Sequence, residues 1–489
     1  MTGPGASGSG AGQRAGARAA RNTIVRAAGE ITGKLASLVL FAALGRATGE
    51  TGVAAYVLAF ALGQLMTMPV ELGLDRYLLR QLAQDRSATD ELYGVLAIKL
   101  GLFAPVTATG FLLVSAAGYD TTTQHALYVV LPGVFLDSLA RTIYSAGLAF
   151  ERGELPAFCL ALRGIVAAAL GLAALAAGFG VVTVAALYTV AATLALALAL
   201  ALFARRVGFP RFRLPEAPWR LVVPSFPFAA QDALSVLFAR VDAVILSLLA
   251  TQAAVGRYGA AYRLLEGTFF ISWSINSAFA AMYTYLGRDT VPSVGSVFQR
   301  SLKLALAVLI PCAVALAVLA EPVSIAFFGA ELEGAAGPLR LLAPVIPLVG
   351  VMYVTSSLIV SRGNPRRMVA ITAGMVVVNV TANLLLIPAY DEEGAAAAML
   401  VTELIAVPVA LAIAARAVGG LRWGLLLGGP LGAGLAMAAV LLPLAGNPLA
   451  GLLAGIAVYA GAILALEHAI DPVDVRFIRR MLSQRLRAT

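Results

Sequence analysis

Long apolar stretches, interrupted at short intervals by clusters of arginine, glycine and acidic residues, set the pattern of this chain. A helix needs roughly 20 mostly apolar residues to cross the hydrocarbon of a bilayer. Fourteen stretches meet that need: 24–44, 53–74, 92–117, 127–150, 155–178, 181–204, 221–250, 258–286, 297–320, 338–360, 368–387, 395–415, 423–444 and 449–469. The pattern predicts an all-α polytopic membrane protein. The seventh and eighth stretches are long, which predicts tilt or an interfacial first turn, and Trp219 and Pro224 mark such an entry to the seventh.

The loops between these stretches test the count. One alternate set holds Arg76, Arg80 and Arg86; Arg152; Arg205, Arg206, Arg211, Arg213 and Arg220; Arg288 and Arg300; Arg362, Arg366 and Arg367; and Arg416 and Arg422. The other set holds Arg46 and Arg257, with Arg340 at a boundary, and is otherwise acidic: Asp120, Glu331, Glu333, Asp391, Glu392 and Glu393. Loops rich in Lys and Arg stay on the cytoplasmic side. The basic C-terminal residues Arg476, Arg479, Arg480, Arg485 and Arg487 fall on the same side. Both termini are therefore expected in the cytoplasm of a cell-membrane protein. One missed helix would invert every later loop, so the alternation favours fourteen spans over thirteen.

Composition changes the picture in two ways. Apolar residues make up 60% of 489 and charged residues 12%, against about 25% charged in a soluble domain. Lipid must therefore be the solvent for much of the surface. The net charge of +9 would suit a nucleic-acid partner, but the basic residues sit at helix ends, where they set topology. Cys159 and Cys312 lie in apolar runs, so neither a disulfide framework nor a thiolate metal site is expected.

Residues 1–20, rich in Gly, Ala, Ser and Arg, read as a disordered cytoplasmic tail. Arg14, Arg18, Arg21 and Arg26 lead into a stretch of spanning length, which predicts an insertion signal that is not cleaved. The basic linker 205–220 is the longest polar break. It divides a first lobe, 21–204 with helices one to six, from a second, 221–417 with helices seven to twelve. A final helix pair (418–470) and a basic tail (471–489) follow. A faint repeat agrees: Tyr56, Ala59, Phe60, Leu62 and Gln64 match Tyr258, Ala261, Tyr262, Leu264 and Glu266 at constant offset. Six spans separate the copies, so the repeats are parallel, a plan common in transporters.

Several local motifs then carry a family resemblance. They are Leu44-Gly45-Arg46 with Gly49, Gly52 and Tyr56; Gly73-Leu74-Asp75-Arg76 with Arg80 and Ala83; and Arg240-Val241-Asp242 with Ile245-Leu246. Val255-Gly256-Arg257-Tyr258-Gly259-Ala260-Ala261-Tyr262-Arg263-Leu264 follows, then Asn379, Asn383-Leu384-Leu385-Leu386-Ile387-Pro388 and Gly394-Ala395-Ala396. In this order the chain, over roughly residues 21–420, resembles a polysaccharide or oligosaccharidyl-lipid flippase of the O-antigen type, in the multidrug/oligosaccharidyl-lipid/polysaccharide (MOP) exporter superfamily. The start of the second helix, Gly52-Val53-Ala54-Ala55-Tyr56, departs from the family's tighter Gly-aromatic-Gly turn. The resemblance implies two lobes around a central cavity and outward translocation of a polyprenyl-diphosphate-linked saccharide by alternating access.

Charges inside spans are costly and mark functional sites by default. Glu30 and Lys34, Asp137 and Arg141, and Arg263 and Glu266 are spaced to pair within one helix. Lys99, Arg163, Arg240, Lys303 and Glu403 lack such a partner. Arg240 either pairs with Asp232 or Asp242 or holds a diphosphate, whose oxygens a planar guanidinium grips bidentately. Lys99 and Arg163 either snorkel to headgroups or line the cavity, and Lys303 is expected to snorkel. The expected substrate-binding cations are Lys34, Arg141, Arg240 and Arg263. Glu403, an isolated acid, either carries a coupling ion or bonds Asn379 or Asn383, and Asp232 is a second coupling candidate.

These residues predict a flippase and not an enzyme, driven, if at all, by a proton or sodium gradient, with no cofactor, metal or nucleic acid. The partners expected are the lipid-linked saccharide, the bilayer, and glycosyltransferases or a polymerase of the same pathway. A multidrug or cation antiporter, or a peptidoglycan-precursor flippase of the same superfamily, is the alternative. A membrane glycosyltransferase or polymerase would need a larger outer loop than the short one around 321–337.

Overall fold

The computed structural model describes residues 8–86, 88–209, 211–213, 215, 217–285, 291–363 and 365–470. Among these, every regular element is a helix. Residues 1–7 of the expected N-terminal tail, Arg288, and the basic C-terminal tail lie outside the described residues. The chain divides into two compact units, 1–247 and 248–489.

The first unit holds α1 (Gly8–Glu71), α2 (Leu74–Gln84), α3 (Asp90–Ala116), α4 (Thr121–Ala149), α5 (Glu154–Ala176), α6 (Val181–Arg206) and α7 (Val222–Leu249). The division falls at Ser247, so most of α7, read from the sequence as the start of the second lobe, is grouped with the first unit. Helix α1 begins at Gly8, inside the stretch read as a tail, and carries the first two spans. It is broken only at Gly49, whose φ of 62° and ψ of −164° suit a residue without Cβ.

Small residues let the helices of this unit approach closely. A Cβ on Gly29 would overlap the Ala157 carbonyl oxygen, and one on Gly164 would overlap Cα of Gly33. Gly29 and Gly33 form a G-x-x-x-G face on α1 that receives α5, as membrane helices pack where lipid removes the hydrophobic drive between them. Polar hydrogen bonds supplement the packing: Thr189 of α6 donates to the Val129 carbonyl of α4 at 2.6 Å.

The second unit holds α8 (Gln252–Tyr285), α9 (Val291–Val318), α10 (Ala320–Phe328), α11 (Ala336–Leu342), α12 (Val345–Ser361), α13 (Pro365–Val418), α14 (Trp423–Leu441) and α15 (Pro448–Ile470). The predicted tenth span is divided into α11 and α12, and the chain bends by 47° there. Pro344 at the bend lacks the N–H that would continue the helical ladder. Helix α13 carries the eleventh and twelfth spans and reverses at Asp391, where φ is 43°. Its two arms run antiparallel, because residues 367–378 and 402–413 line one groove.

Nine helices among the described residues are long and apolar enough to cross a membrane, or ten if the bent α11–α12 segment is one span. Two of the nine, in α1 and α13, each comprise two arms. Helices α7 and α8, 28 and 34 residues long, lie outside that apolar set. They carry Asp232, Arg240 and Asp242, and Arg257, Arg263 and Glu266. With these two included, each of the fourteen predicted stretches falls on helix.

Ion pairs hold two of the three exceptions to the charge pattern. Arg257 pairs with Glu392 beside the α13 reversal, and Arg340 stands 3.5 Å from Glu321. Both arginines are thus held by acids of the same unit. Lys303 corrects the snorkelling expectation: it pairs with Glu467 of α15, and both side chains are largely buried. The Tyr459 hydroxyl donates to the Ala307 carbonyl at 2.7 Å. These two polar contacts tie the final helix to α9, against which α14 also packs.

Candidate functional site

The local fold around the Gly-Leu-Asp-Arg motif builds the most charged region of the first unit. Helix α1 ends at Glu71, and the chain then turns through Leu72 and Gly73, whose φ values are 44° and 67°. Only glycine fits at 73, because a Cβ would overlap the Ala229 nitrogen. The turn starts α2, whose Leu74, Leu78 and Leu82 recur every four residues and are buried. That burial fixes the helix so that Asp75 faces into the unit and Arg76 reaches Asp232, 2.8 Å away.

Lys99 of α3 projects into the space between Glu71 and Asp75. Its Nζ donates to Glu71 at 3.0 Å, to both oxygens of Asp75 at 2.9 Å, and to the Ser138 carbonyl and hydroxyl at 3.2 Å. The lysine is fully buried. It therefore does not snorkel, because two carboxylates replace the hydration it has lost. Thr142 donates to Asp75 at 2.7 Å.

Arg141 and Asp137, one turn apart on α4, form the expected pair at 2.9 Å. Arg141 also donates to Glu71 at 2.5 Å. Asp137 holds a second cation, Arg163 of α5, whose guanidinium lies 5.9 Å from the Tyr188 ring centroid. This distance is within cation–π range. Three carboxylates (Glu71, Asp75, Asp137) thus face three cations (Lys99, Arg141, Arg163), a formally neutral network on four helices and the α2 turn. Its most exposed member is Arg141, with 42% of its side chain accessible.

The other expected cations are placed differently. Arg240 of α7 donates through Nε to the Gln64 side chain at 3.0 Å, within the first unit. Of the two partners named for it, Asp232 is held by Arg76, and Asp242 accepts from the Ala243 amide at 2.7 Å. Lys34 is exposed on α1 and is absent from the network. Arg263, in the second unit, pairs with Glu266 at 3.1 Å, as its spacing predicts.

Gln64 and Glu266, the last members of the sequence repeat, both accept a guanidinium in their own unit. Glu403 is 2% exposed, and its Oε2 has no hydrogen-bond partner among the described residues. The Asn383 amide is spent on Asn379, at 2.9 and 3.0 Å, rather than on Glu403.

Glu71, Ser138, Thr142, Tyr188 and Gln64 escaped the sequence reading as site residues. Glu71 and Asp75 are four apart, a spacing that would have flagged them. The left-handed turn between them removes the continuous helix that such spacing assumes.

The family described as Polysaccharide biosynthesis protein matches residues 19–287. The MatE family matches residues 227–385. No curated protein matches the chain. Among solved structures, the lipid II flippase MurJ in an inward closed conformation superposes with a TM-score of 0.71 at 13% identity, over 91% of this chain and 99% of that one. The MATE multidrug transporter DinF-BH gives 0.62 at 17% identity, over 82% and 95%. A MOP superfamily transporter from Pyrococcus furiosus, described as having a binding pocket of reverse polarity, gives 0.59 at 16%, again over 82% and 95%. These likenesses show a shared fold. The first family match covers more than half of the chain, and the chain therefore belongs to the polysaccharide biosynthesis protein family.

Proposed function

We propose that this protein is a flippase that moves a polyprenyl-diphosphate-linked oligosaccharide, a surface-polysaccharide precursor, from the cytoplasmic to the outer leaflet by alternating access. The observation that carries the reading is Arg141: a guanidinium held by Glu71 and Asp137 yet 42% exposed. An oriented guanidinium with accessible donors suits a diphosphate, which accepts paired hydrogen bonds from its planar fork. Arg240, Arg263 and Lys34 are the further cations proposed to meet the substrate. Membership of a polysaccharide biosynthesis family supports a saccharide cargo. The cell membrane, with both termini in the cytoplasm, is its proposed location. Glycosyltransferases or a polymerase of the same pathway are its proposed neighbours.

Coupling to a proton or sodium gradient is proposed through Glu403 or Asp232. Glu403 is favoured because its buried Oε2 has no partner among the described residues, whereas Asp232 is engaged by Arg76. Glu403→Gln should then abolish the stimulation of transport by an imposed gradient and leave passive exchange intact.

Reconstitution tests the main reading. Purified protein is placed in vesicles with a fluorescent polyprenyl-diphosphate oligosaccharide in the inner leaflet, and an external glycosidase reports its arrival. Cleavage that depends on the protein and falls in Arg141→Ala is expected. The MatE match favours one competing reading, a cation antiporter. Gradient-driven uptake of a cationic dye, with no cleavage of the lipid-linked sugar, would replace the proposal with it.

A further inference from the structure

The α13 hairpin contains a groove of about 410 Å³ between its two arms, with Arg367 at one end. Its walls are apolar, among them Ile371, Ile405, Val409 and Ile413. The volume falls within the roughly 300–1,000 Å³ of small-molecule sites. Small residues create it. Gly374 lies on its floor, and a Cβ built there meets nothing within 4 Å.

The groove is open along its side, where Ile405 and Val409 are half exposed. In a membrane-spanning hairpin such a surface meets hydrocarbon chains. Arg367 and its neighbour Arg366 are exposed, and Arg367 makes no ion pair among the described residues.

We propose that this groove is a binding site for a membrane glycerophospholipid with an anionic headgroup. An acyl chain would lie between the arms, and the phosphate would sit on Arg367, with Arg366 beside it. The lining of the groove suits the chemistry of such a lipid: a guanidinium that grips phosphate, then an apolar trough for the chain. Basic clusters beside membrane helices hold anionic headgroups by this attraction. A resident phospholipid is preferred to the transported lipid because both walls belong to one hairpin, in which occupancy supports the packing of the two arms. The inference is independent of which cargo the protein carries.

The test uses full-length protein in non-ionic detergent, with phosphatidylglycerol and phosphatidylcholine as probes and native mass spectrometry as readout. Wild type should retain phosphatidylglycerol in preference to phosphatidylcholine. Arg367→Gln should weaken phosphatidylglycerol roughly fivefold, as expected for one basic contact, and leave phosphatidylcholine unchanged. Gly374→Leu should fill the trough and reduce both lipids. Phosphatidylglycerol should raise the melting temperature of wild type but not of Gly374→Leu. Equal retention of the two lipids by wild type, or wild-type retention in both variants, would overturn the site. Displacement of phosphatidylglycerol by an equal concentration of a polyprenyl phosphate would overturn the choice of occupant.

Discussion

Lys99 Nζ lies 2.9 Å from both carboxylate oxygens of Asp75, and the lysine side chain has no access to solvent. The contact joins α3 to the turn that opens α2, so it holds one side of the charged network in place. Removing one partner of a buried pair leaves the other charge uncompensated, at a cost of about 3–5 kcal/mol. Lys99→Met should therefore lower the yield of folded protein sharply and depress its melting temperature in detergent. Asp75→Asn added to Lys99→Met should restore part of that loss. Wild-type melting behaviour in Lys99→Met alone would show that the network does not support the unit.

Arg141 engages Glu71 through Nη2 and Asp137 through Nη1. Lysine keeps the charge but cannot span both acids with a planar fork. Arg141→Lys should fold, because the acids stay compensated, while transport falls roughly tenfold, the value of one lost charge-assisted hydrogen bond. Initial rates in reconstituted vesicles, normalised to the amount of folded protein, check this. Full transport by Arg141→Lys would reduce Arg141 to a charge balance.

The sidedness of the loops can be read by thiol labelling in a background with Cys159→Ala and Cys312→Ser. Gly118→Cys and Asp391→Cys place thiols at exposed positions predicted to face outward. Gln84→Cys and Gly363→Cys place them at exposed positions predicted to face the cytoplasm. An impermeant maleimide should label the first two in intact cells and the second two only after permeabilisation. Labelling of all four in intact cells would contradict fourteen spans with cytoplasmic termini.

The contact of Gly164 with Gly33 gives a packing prediction. A methyl group at 164 would press on the Gly33 backbone, which cannot rotate aside. Gly164→Ala should separate α1 from α5 and cost about 1–3 kcal/mol, the range for overpacked cores. A melting temperature equal to wild type would mean that the two helices can part without loss. Gly374→Ala is the matched control, since its added methyl meets open space.

The chain's own pattern determined the class of protein and the positions of its helices. Lipid demands long apolar helices with internally satisfied backbones, and that demand is local, written into each run of about 20 residues. Arginine placement carried the predicted sidedness for the same reason, because each loop meets the membrane surface by itself. Same-helix pairs were also legible: Asp137 with Arg141 and Arg263 with Glu266 form as their spacing predicts.

Pairings across helices were decided only in three dimensions. Asp75 reaches Lys99 because Leu72 and Gly73 turn the chain through left-handed conformations, and Asp137 reaches Arg163 because α5 packs beside α4. Lys303 finds Glu467, far along the chain, because α15 returns to α9. Lys99, Arg163 and Lys303 looked unpartnered along the sequence. A buried charge takes whichever opposite charge the packing brings within a few ångströms, and that proximity is a property of helix packing rather than of sequence separation.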